Sequence, residues 1–109
     1  LTSLESLGLS GNKIQVIPNE IEILVNLNEL YFMGNSIKEI PKSIGDLKKL
    51  TKLEFSDNKL TTVPKSLEKL EFLRFLDLSF NDIESHPLIE NKVKNFVMKK
   101  KVRPAYLDL

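Results

Sequence analysis

The sequence predicts an α/β solenoid in which stacked repeats form a curved parallel β-sheet on the concave face and short helical or 3-10 segments on the convex face. Three observations favour this fold class. Four prolines and four asparagines each recur at intervals of 23 residues. Apolar residues recur in the same frame, and they are spaced like a strand at the start of each copy. A fixed period of about 20–50 residues is the sequence signature of repeat proteins.

Each copy begins with a leucine and follows one pattern. The copies begin at Leu4, Leu27, Leu50 and Leu73. Each reads L-x-x-L-x-L/F-x-x-N-x-L/I, and an Ile-Pro, Val-Pro or His-Pro pair follows. If slots are numbered from the opening leucine, slots 1, 4, 6, 11, 14, 18 and 21 are apolar in all of the first three copies. The fold prediction depends mainly on this regularity.

The opening segment of each repeat is predicted to form a β-strand, because slots 4 and 6 are both apolar and lie two residues apart. Repeats that stack in register would pair these segments as parallel strands. The slot-4 leucines would then form one interior column. Its members are Leu7, Leu30, Leu53 and Leu76.

One asparagine follows each predicted strand, at the point where the chain turns out of the sheet. Its amide has both a donor and an acceptor, so it can satisfy backbone groups that the turn leaves buried. Stacking the repeats places these residues in a structural asparagine ladder. The ladder consists of Asn12, Asn35, Asn58 and Asn81.

The second half of each repeat returns the chain to the start of the next strand. Proline biases the residue before it to an extended conformation and suits the beginning of a helix. Slots 18 and 21 are three residues apart, which is the spacing of one short helical face. Since parallel strands lie about 4.8 Å apart and packed helices about 8–10 Å apart, the array must curve with its strands inside.

These repeats resemble those of the leucine-rich repeat family, and the resemblance covers nearly the whole chain. The 23-residue length with a central Ile-Pro or Val-Pro pair is similar to the intracellular class that includes the Ras-group leucine-rich repeat scaffolds. The resemblance implies a solenoid whose concave sheet binds a partner through variable strand positions, at slots 2, 3, 5, 7 and 8.

The chain is predicted to be a single leucine-rich repeat domain over residues 1–109 and a fragment of a longer protein. Leu1 falls on slot 21 of a preceding unit, so the sequence begins inside a repeat. Apolar residues at helical spacing predict an irregular helical insertion at about 88–103 in the fourth repeat. Residues 104–109 then place leucines on slots 4 and 6 of a partial fifth strand.

Several variable strand positions carry side chains that stacking does not require. Exposed aromatic and methionine side chains are typical interface anchors, so three of them are predicted to bind a protein partner. These three are Tyr31, Met33 and Phe75. Charged residues share the same face, namely Glu29, Lys52, Glu54 and Asp77. The alternative is an ordinary solvent-exposed surface, and Phe80 is predicted to be a packing residue at the strand end.

Charge is unevenly distributed along the chain, although the formal net charge is only +1. Residues 1–91 carry 10 basic and 14 acidic side chains, whereas residues 92–103 carry 6 basic side chains and no acidic one. Such a cluster can contact phosphate, anionic lipid or an acidic protein, and the alternative is a solvated helix face and loop. The candidate anion contacts are Lys99, Lys100, Lys101 and Arg103.

The composition argues against several classes of function. The chain has no cysteine and 1 histidine, so we expect no cofactor, no thiolate or multi-histidine metal site and no Ser-His-Asp catalytic set. No apolar run approaches the roughly 18 residues of a membrane span. No phosphate-binding loop occurs, and no nucleic-acid partner is expected. The same absences favour an intracellular, cytoplasmic protein without enzyme activity.

The sequence therefore predicts a protein–protein interaction module or scaffold that binds a partner on its concave sheet. One alternative is a regulatory repeat segment of a signalling kinase, phosphatase or GTPase whose catalytic part lies outside this chain. A second alternative is contact with a polyanion or anionic lipid through the basic cluster at 92–103. Self-association through open solenoid ends is also predicted, because terminal repeats without polar caps expose core residues.

Overall fold

A computed structural model describes residues 3–84 and 95–98 of the chain. Within these ranges, five parallel strands pair in chain order in one open sheet. Three 3-10 helices lie between the first four strands. The elements are β1 Ser6–Gly8, η1 Asn19–Ile23, β2 Glu29–Tyr31, η2 Lys42–Asp46, β3 Lys52–Glu54, η3 Lys65–Lys69, β4 Phe75–Asp77 and β5 Asn95–Val97. The predicted α/β solenoid with a parallel sheet is confirmed.

The register of the first four strands follows the 23-residue period. Each slot-4 leucine pairs with its equivalent in the next repeat, in the order Leu7, Leu30, Leu53 and Leu76. The last three of these leucines are fully buried. Because side chains alternate between the two faces of a strand, the residues on either side of each leucine point away from the core.

Each 3-10 helix follows one of the repeated prolines. Pro18, Pro41 and Pro64 have extended backbone conformations directly before the helices, with ψ between 143° and 151°. The carbonyl oxygen of each proline accepts a hydrogen bond from the N–H three residues later, at 3.1–3.2 Å. Each helix buries its slot-18 residue, so the short helical segments that the apolar spacing predicts are confirmed.

Close contacts hold successive repeats together on both sides of the core. Near the sheet, the rings of Phe32 and Phe55 stack with centroids 5.3 Å apart and an interplanar angle of 13°. Among the 3-10 helices, a Cβ atom at Gly45 would lie 2.6 Å from the carbonyl oxygen of Ser66. Only a glycine therefore fits between η2 and η3 at this position.

The asparagine at slot 9 connects the backbones of two neighbouring repeats. The Oδ1 atom of Asn35 accepts hydrogen bonds from the N–H groups of Asn12 and Ile14, both at 2.9 Å. Its Nδ2 donates to the carbonyl oxygens of Leu9 and Phe32, both at 2.9 Å. One side chain thus satisfies backbone groups of the preceding repeat and of its own turn.

The other asparagines repeat this arrangement to different extents. Asn58 is 2% exposed, and its Oδ1 accepts from the N–H of Ile37 at 3.1 Å. The Oδ1 of Asn81 accepts from the N–H of Leu60 at 3.0 Å. Asn12 is exposed, and its Nδ2 donates to a carbonyl of its own turn. The number of backbone groups that depend on the side chain therefore differs along the ladder.

The predicted helical insertion at 88–103 is wrong at residues 95–97. These residues form β5, in which Phe96 pairs with Leu76, so the register advances by 20 residues instead of 23. Phe96 and Met98 both pack against the core. A short apolar run fits either a helix or a strand, and pairing with the open edge of β4 decides in favour of the strand. The strand beside β4 is therefore β5.

Other predictions for this end of the chain lie outside the described residues. They concern the remaining part of the 88–103 insertion, the conformation of residues 104–109 and the basic side chains Lys99, Lys100, Lys101 and Arg103. They stay predictions.

We predict that Asn58→Leu lowers the free energy of unfolding by about 1–3 kcal/mol, because buried backbone groups of two repeats lose their partners. Urea unfolding followed by circular dichroism measures the change. The matched control is Asn12→Leu, which makes the same substitution at the exposed member of the ladder and should cost clearly less. Equal losses for the two variants would contradict the role assigned to the buried amide.

Candidate functional site

The strand register brings six of the predicted binding residues together in two rows on the concave face. We define the concave face as the side chains of β1–β4 that point away from the core, together with the exposed residue Met33, two positions after β2. The first row consists of Glu29, Lys52 and Phe75. The second row, nearer the carboxyl ends of the strands, consists of Tyr31, Glu54 and Asp77.

Three large side chains make this face partly apolar. Met33 follows β2 and is 43% exposed, and Tyr31 and Phe75 are half-buried within the strands. Tyr31 and Phe75 lie two strands apart, which corresponds to about 10 Å. An extended segment of another protein is long enough to contact both aromatic rings at once.

The first row contains charged side chains that are held by neighbouring strands. The Nζ atom of Lys52 lies 5.7 Å from the centroid of the Phe75 ring, which is within the range of a cation–π interaction. The Oε1 atom of Glu29 accepts a hydrogen bond from the hydroxyl of Ser6 at 3.4 Å. The first contact joins β3 to β4, and the second joins β1 to β2.

The second row is acidic. Glu54 and Asp77 occupy neighbouring strands, and the Oε1 of Glu54 accepts a hydrogen bond from the Ser56 hydroxyl at 2.9 Å. Partial burial raises the pKa of Glu54 above its ordinary value, and the neighbouring charge of Asp77 raises it further. The hydrogen bond from Ser56 and the charge of Lys52 act in the opposite direction. A cationic group of a partner would therefore stabilise this row.

Phe80 is exposed at the carboxyl end of β4, so the prediction that it is a packing residue is wrong. It is 40% exposed, and its backbone has a φ of +58°. The equivalent positions in the preceding repeats also have positive φ, and they are occupied by Gly11, Gly34 and Asp57. A bulky residue is an outlier in this left-handed region. The column Gly-Gly-Asp-Phe is the sequence signal that identifies Phe80 as unusual.

An apolar groove lies beside β1, at the opposite end of the sheet from β5. It has a volume of about 520 Å³ and is lined mainly by aliphatic side chains of the first repeat. Val16 and Ile23 in this lining are 76% and 57% exposed. The predicted self-association through open solenoid ends would take place on this surface, and it stays a prediction.

The described part of the chain shows neither a metal-binding cluster nor a membrane-spanning helix. Within residues 3–84 and 95–98, no group of three or more carboxylate or histidine side chains is arranged to hold a metal ion. Among the helices in those same ranges, none has the length and apolar character needed to cross a bilayer. The basic side chains from Lys99 to Arg103 lie outside these ranges.

The fold defines the class of the protein: a repeat solenoid with one parallel strand, one buried turn and one 3-10 helix in each regular unit. The family profile described as "Leucine-rich repeat region" matches residues 1–98. The chain therefore belongs to the leucine-rich repeat family. None of the curated protein sequences is significantly similar to it.

Several solved structures are similar to this chain. A leucine-rich repeat protein of Leptospira interrogans is 41% identical, with a TM-score of 0.80, over 88% of this chain and 25% of that protein. The ectodomain of the Arabidopsis thaliana membrane receptor kinase GASSHO1/SCHENGEN3, in complex with Casparian strip integrity factor 2, is 32% identical, with a TM-score of 0.73. That match covers 91% of this chain and 13% of the receptor chain.

The ectodomain of BIR2 from Arabidopsis thaliana is 26% identical, with a TM-score of 0.71, over 86% of this chain and 57% of that one. The chain thus spans 25% of the Leptospira protein, 13% of the GASSHO1/SCHENGEN3 chain and 57% of the BIR2 chain. These matches support the repeat solenoid.

We predict that Glu54→Gln changes how stability depends on pH. Because the folded state raises the pKa of Glu54, protonation of this group stabilises the fold, and that contribution is lost as pH rises through the raised pKa. The Gln variant should therefore gain stability relative to the parent chain as pH rises from acid to neutral. Urea unfolding at a series of pH values measures this difference.

Asp77→Asn provides the matched comparison, because it removes the neighbouring charge that raises the pKa of Glu54. When Asp77→Asn is present, the change in stability caused by Glu54→Gln should depend less on pH. A stability difference between the parent chain and the Glu54→Gln variant that is independent of pH would show that Glu54 titrates as an ordinary surface carboxyl.

A comparison of Phe80→Gly with Phe80→Ala tests the left-handed backbone. Both variants remove the ring, so they differ only in the Cβ atom at a φ of +58°. We expect the glycine variant to be more stable by about 1 kcal/mol, because a Cβ atom is disfavoured in this region. At most sites alanine is the more stable of the two, so a more stable alanine variant would contradict strain at this position.

Proposed function

We propose that the chain is a protein-binding module whose concave face takes up a segment of a partner protein. The observation that supports this proposal best is the set of large apolar side chains in slots where the stack requires none. Tyr31 and Phe75 lie within β2 and β4, Met33 follows β2, and Phe80 extends the set beyond the end of β4. Leucine-rich repeat domains commonly mediate protein–protein interactions, and the similar GASSHO1/SCHENGEN3 ectodomain was solved in complex with Casparian strip integrity factor 2.

The strained backbone of Phe80 adds weight to a role in binding. Phe80 is 40% exposed, and residues with an unfavourable backbone conformation occur often at functional sites. Aromatic residues at interfaces are frequent binding hot spots. We therefore include Phe80 with the three anchors that the sequence predicts.

We propose binding without catalysis. The concave face offers apolar area and an acidic row, and its carboxylates lie on an open sheet. General acid–base catalysis needs such groups held beside a bound reacting atom, usually in a site from which water is excluded. The acidic row of Glu54 and Asp77 instead has the character of a surface that attracts a cationic side chain of a partner.

We propose an intracellular, cytoplasmic location and membership of the 23-residue class, supported by the absence of cysteine and the repeat length. Two alternatives have support of their own. The similarity to a receptor-kinase ectodomain supports a repeat segment of a signalling enzyme whose catalytic part is elsewhere. The six basic residues of 92–103 support contact with a polyanion or anionic lipid.

The proposal is tested with a peptide ligand selected from a random displayed library against the 109-residue chain. We predict that Tyr31→Ala and Phe75→Ala each weaken binding of this peptide by about 1–3 kcal/mol, because the rings are central apolar anchors. Isothermal titration calorimetry measures the affinity. Thermal unfolding of the same variants should change by less than about 0.5 kcal/mol, as is usual for surface substitutions.

The control is Lys48→Glu, an exposed residue of the convex side, which should leave the affinity unchanged. The result that overturns the proposal is binding that ignores Tyr31 and Phe75 but is lost when Lys99, Lys100 and Lys101 are all replaced by Gln. In that case the basic segment is the binding site.

A further inference from the structure

A second surface, which shares Lys52 and Phe75 with the concave face, lies at the amino-terminal edge of the sheet. An open groove of about 700 Å³ runs past the residues that precede and begin β3 and β4. Its lining contains two phenylalanines and three cationic side chains, and no acidic residue. These five residues, which we call the basic–aromatic groove, are Lys49, Lys52, Phe72, Arg74 and Phe75.

The junctions between three successive repeats assemble this groove. Lys49 and Phe72 are equivalent residues of successive repeats, 23 positions apart, and each lies just before its strand. Lys52 and Phe75 are paired by the register of β3 and β4. Arg74 directly precedes Phe75, so the groove combines residues that are distant in sequence but fixed by one rigid sheet.

Each of the two lysines contacts an uncharged group, and the charge of Lys52 also acts on Glu54 of the second row. The Nζ of Lys49 donates a hydrogen bond to the Oδ1 of Asn26 at 2.8 Å. The Nζ of Lys52 lies over the Phe75 ring at 5.7 Å from its centroid. Neither contact neutralises the charge of the lysine, so a carboxylate that enters the groove finds oriented cations. Because the lysine side chains are already oriented, they lose less conformational entropy when a ligand binds.

The aromatic residues give the groove a second kind of contact. Phe72 is 55% exposed, and Phe75 is half-buried beside it in the lining. An exposed phenylalanine between cations favours a ligand that combines negative charge with an apolar side chain. The cations line a groove and are contributed by three successive repeats, which suits a narrow ligand better than a flat membrane surface.

We propose that the basic–aromatic groove binds an acidic peptide segment of a partner protein, one in which Asp or Glu residues flank an aromatic or aliphatic side chain. The inference deepens the proposed protein-binding function and rests on it. The carboxylates contact Lys49, Lys52 and Arg74, and the apolar side chain packs between Phe72 and Phe75. Arginine and aromatic residues are the side chains that contribute most often to binding hot spots.

The experiment uses a fluorescein-labelled peptide of sequence Asp-Glu-Phe-Asp-Glu and the complete 109-residue chain, with fluorescence anisotropy as the readout. Lys49→Glu and Arg74→Glu should each weaken binding by about tenfold, since each places a like charge against the peptide. Phe72→Ala should have a similar effect, and so should replacement of the peptide phenylalanine by glycine. Binding of the parent peptide should weaken as salt is added.

Lys48→Glu is the matched control, because it makes the same charge change one residue away from Lys49 and outside the groove lining. It should change the affinity by less than about twofold, as for an isolated surface charge. Circular dichroism of every variant checks that the fold is retained.

Three outcomes would overturn the inference. Equal losses for Lys48→Glu and Lys49→Glu would show attraction to overall charge rather than to the groove. Binding that depends on Met33 and Tyr31 but not on Lys49, Phe72 or Arg74 would reject the groove and leave the proposed concave site intact. Failure of the peptide to bind, together with groove-dependent binding to phosphatidylserine vesicles, would assign the groove to a membrane surface.

Discussion

The hydrogen bonds of a buried asparagine side chain hold this fold together. The tight turn after each strand leaves backbone N–H and carbonyl groups that cannot pair within the repeat, and burying them without partners would cost free energy at every repeat boundary. At Asn35 one amide accepts from two N–H groups of the preceding turn and donates to a carbonyl on each side of the boundary. The strands, the 3-10 helices and the apolar columns can stack only because this boundary is satisfied.

Stacking in register leaves the outward-facing slots free to vary. Leucine is required at slot 4 because that side chain is buried. Slot 5, the next position, holds glycine, tyrosine, glutamate and aspartate in the four successive repeats. The concave face therefore changes chemistry from strand to strand without altering the backbone beneath it. Phe80 is an exception in which the backbone itself is unfavourable for the residue it carries.

Residues that repeat every 23 positions could be placed from the sequence alone, and residues outside that period could not. The period aligned Tyr31 with Glu54 and Asp77, and it located the helices after the prolines. It failed for β5, where Val93, Phe96 and Met98 keep the spacing of slots 1, 4 and 6 but follow after 20 residues. The basic–aromatic groove was missed because it joins the end of one repeat to the start of the next, and no motif marks such a junction.

The distribution of charge along the strands determines the direction in which a bound chain lies. Cations of the basic–aromatic groove lie at the amino-terminal edge of the sheet, whereas Glu54 and Asp77 lie nearer its carboxyl-terminal edge. Because β3 and β4 are parallel, the cations lie at one end of this strand pair and the carboxylates nearer the other, so this part of the surface has one electrostatic direction. A ligand with one acidic and one basic end fits such a surface in one orientation only. The sheet can thereby distinguish a peptide from one with the same residues in reverse order. This specificity needs no pocket for an individual side chain.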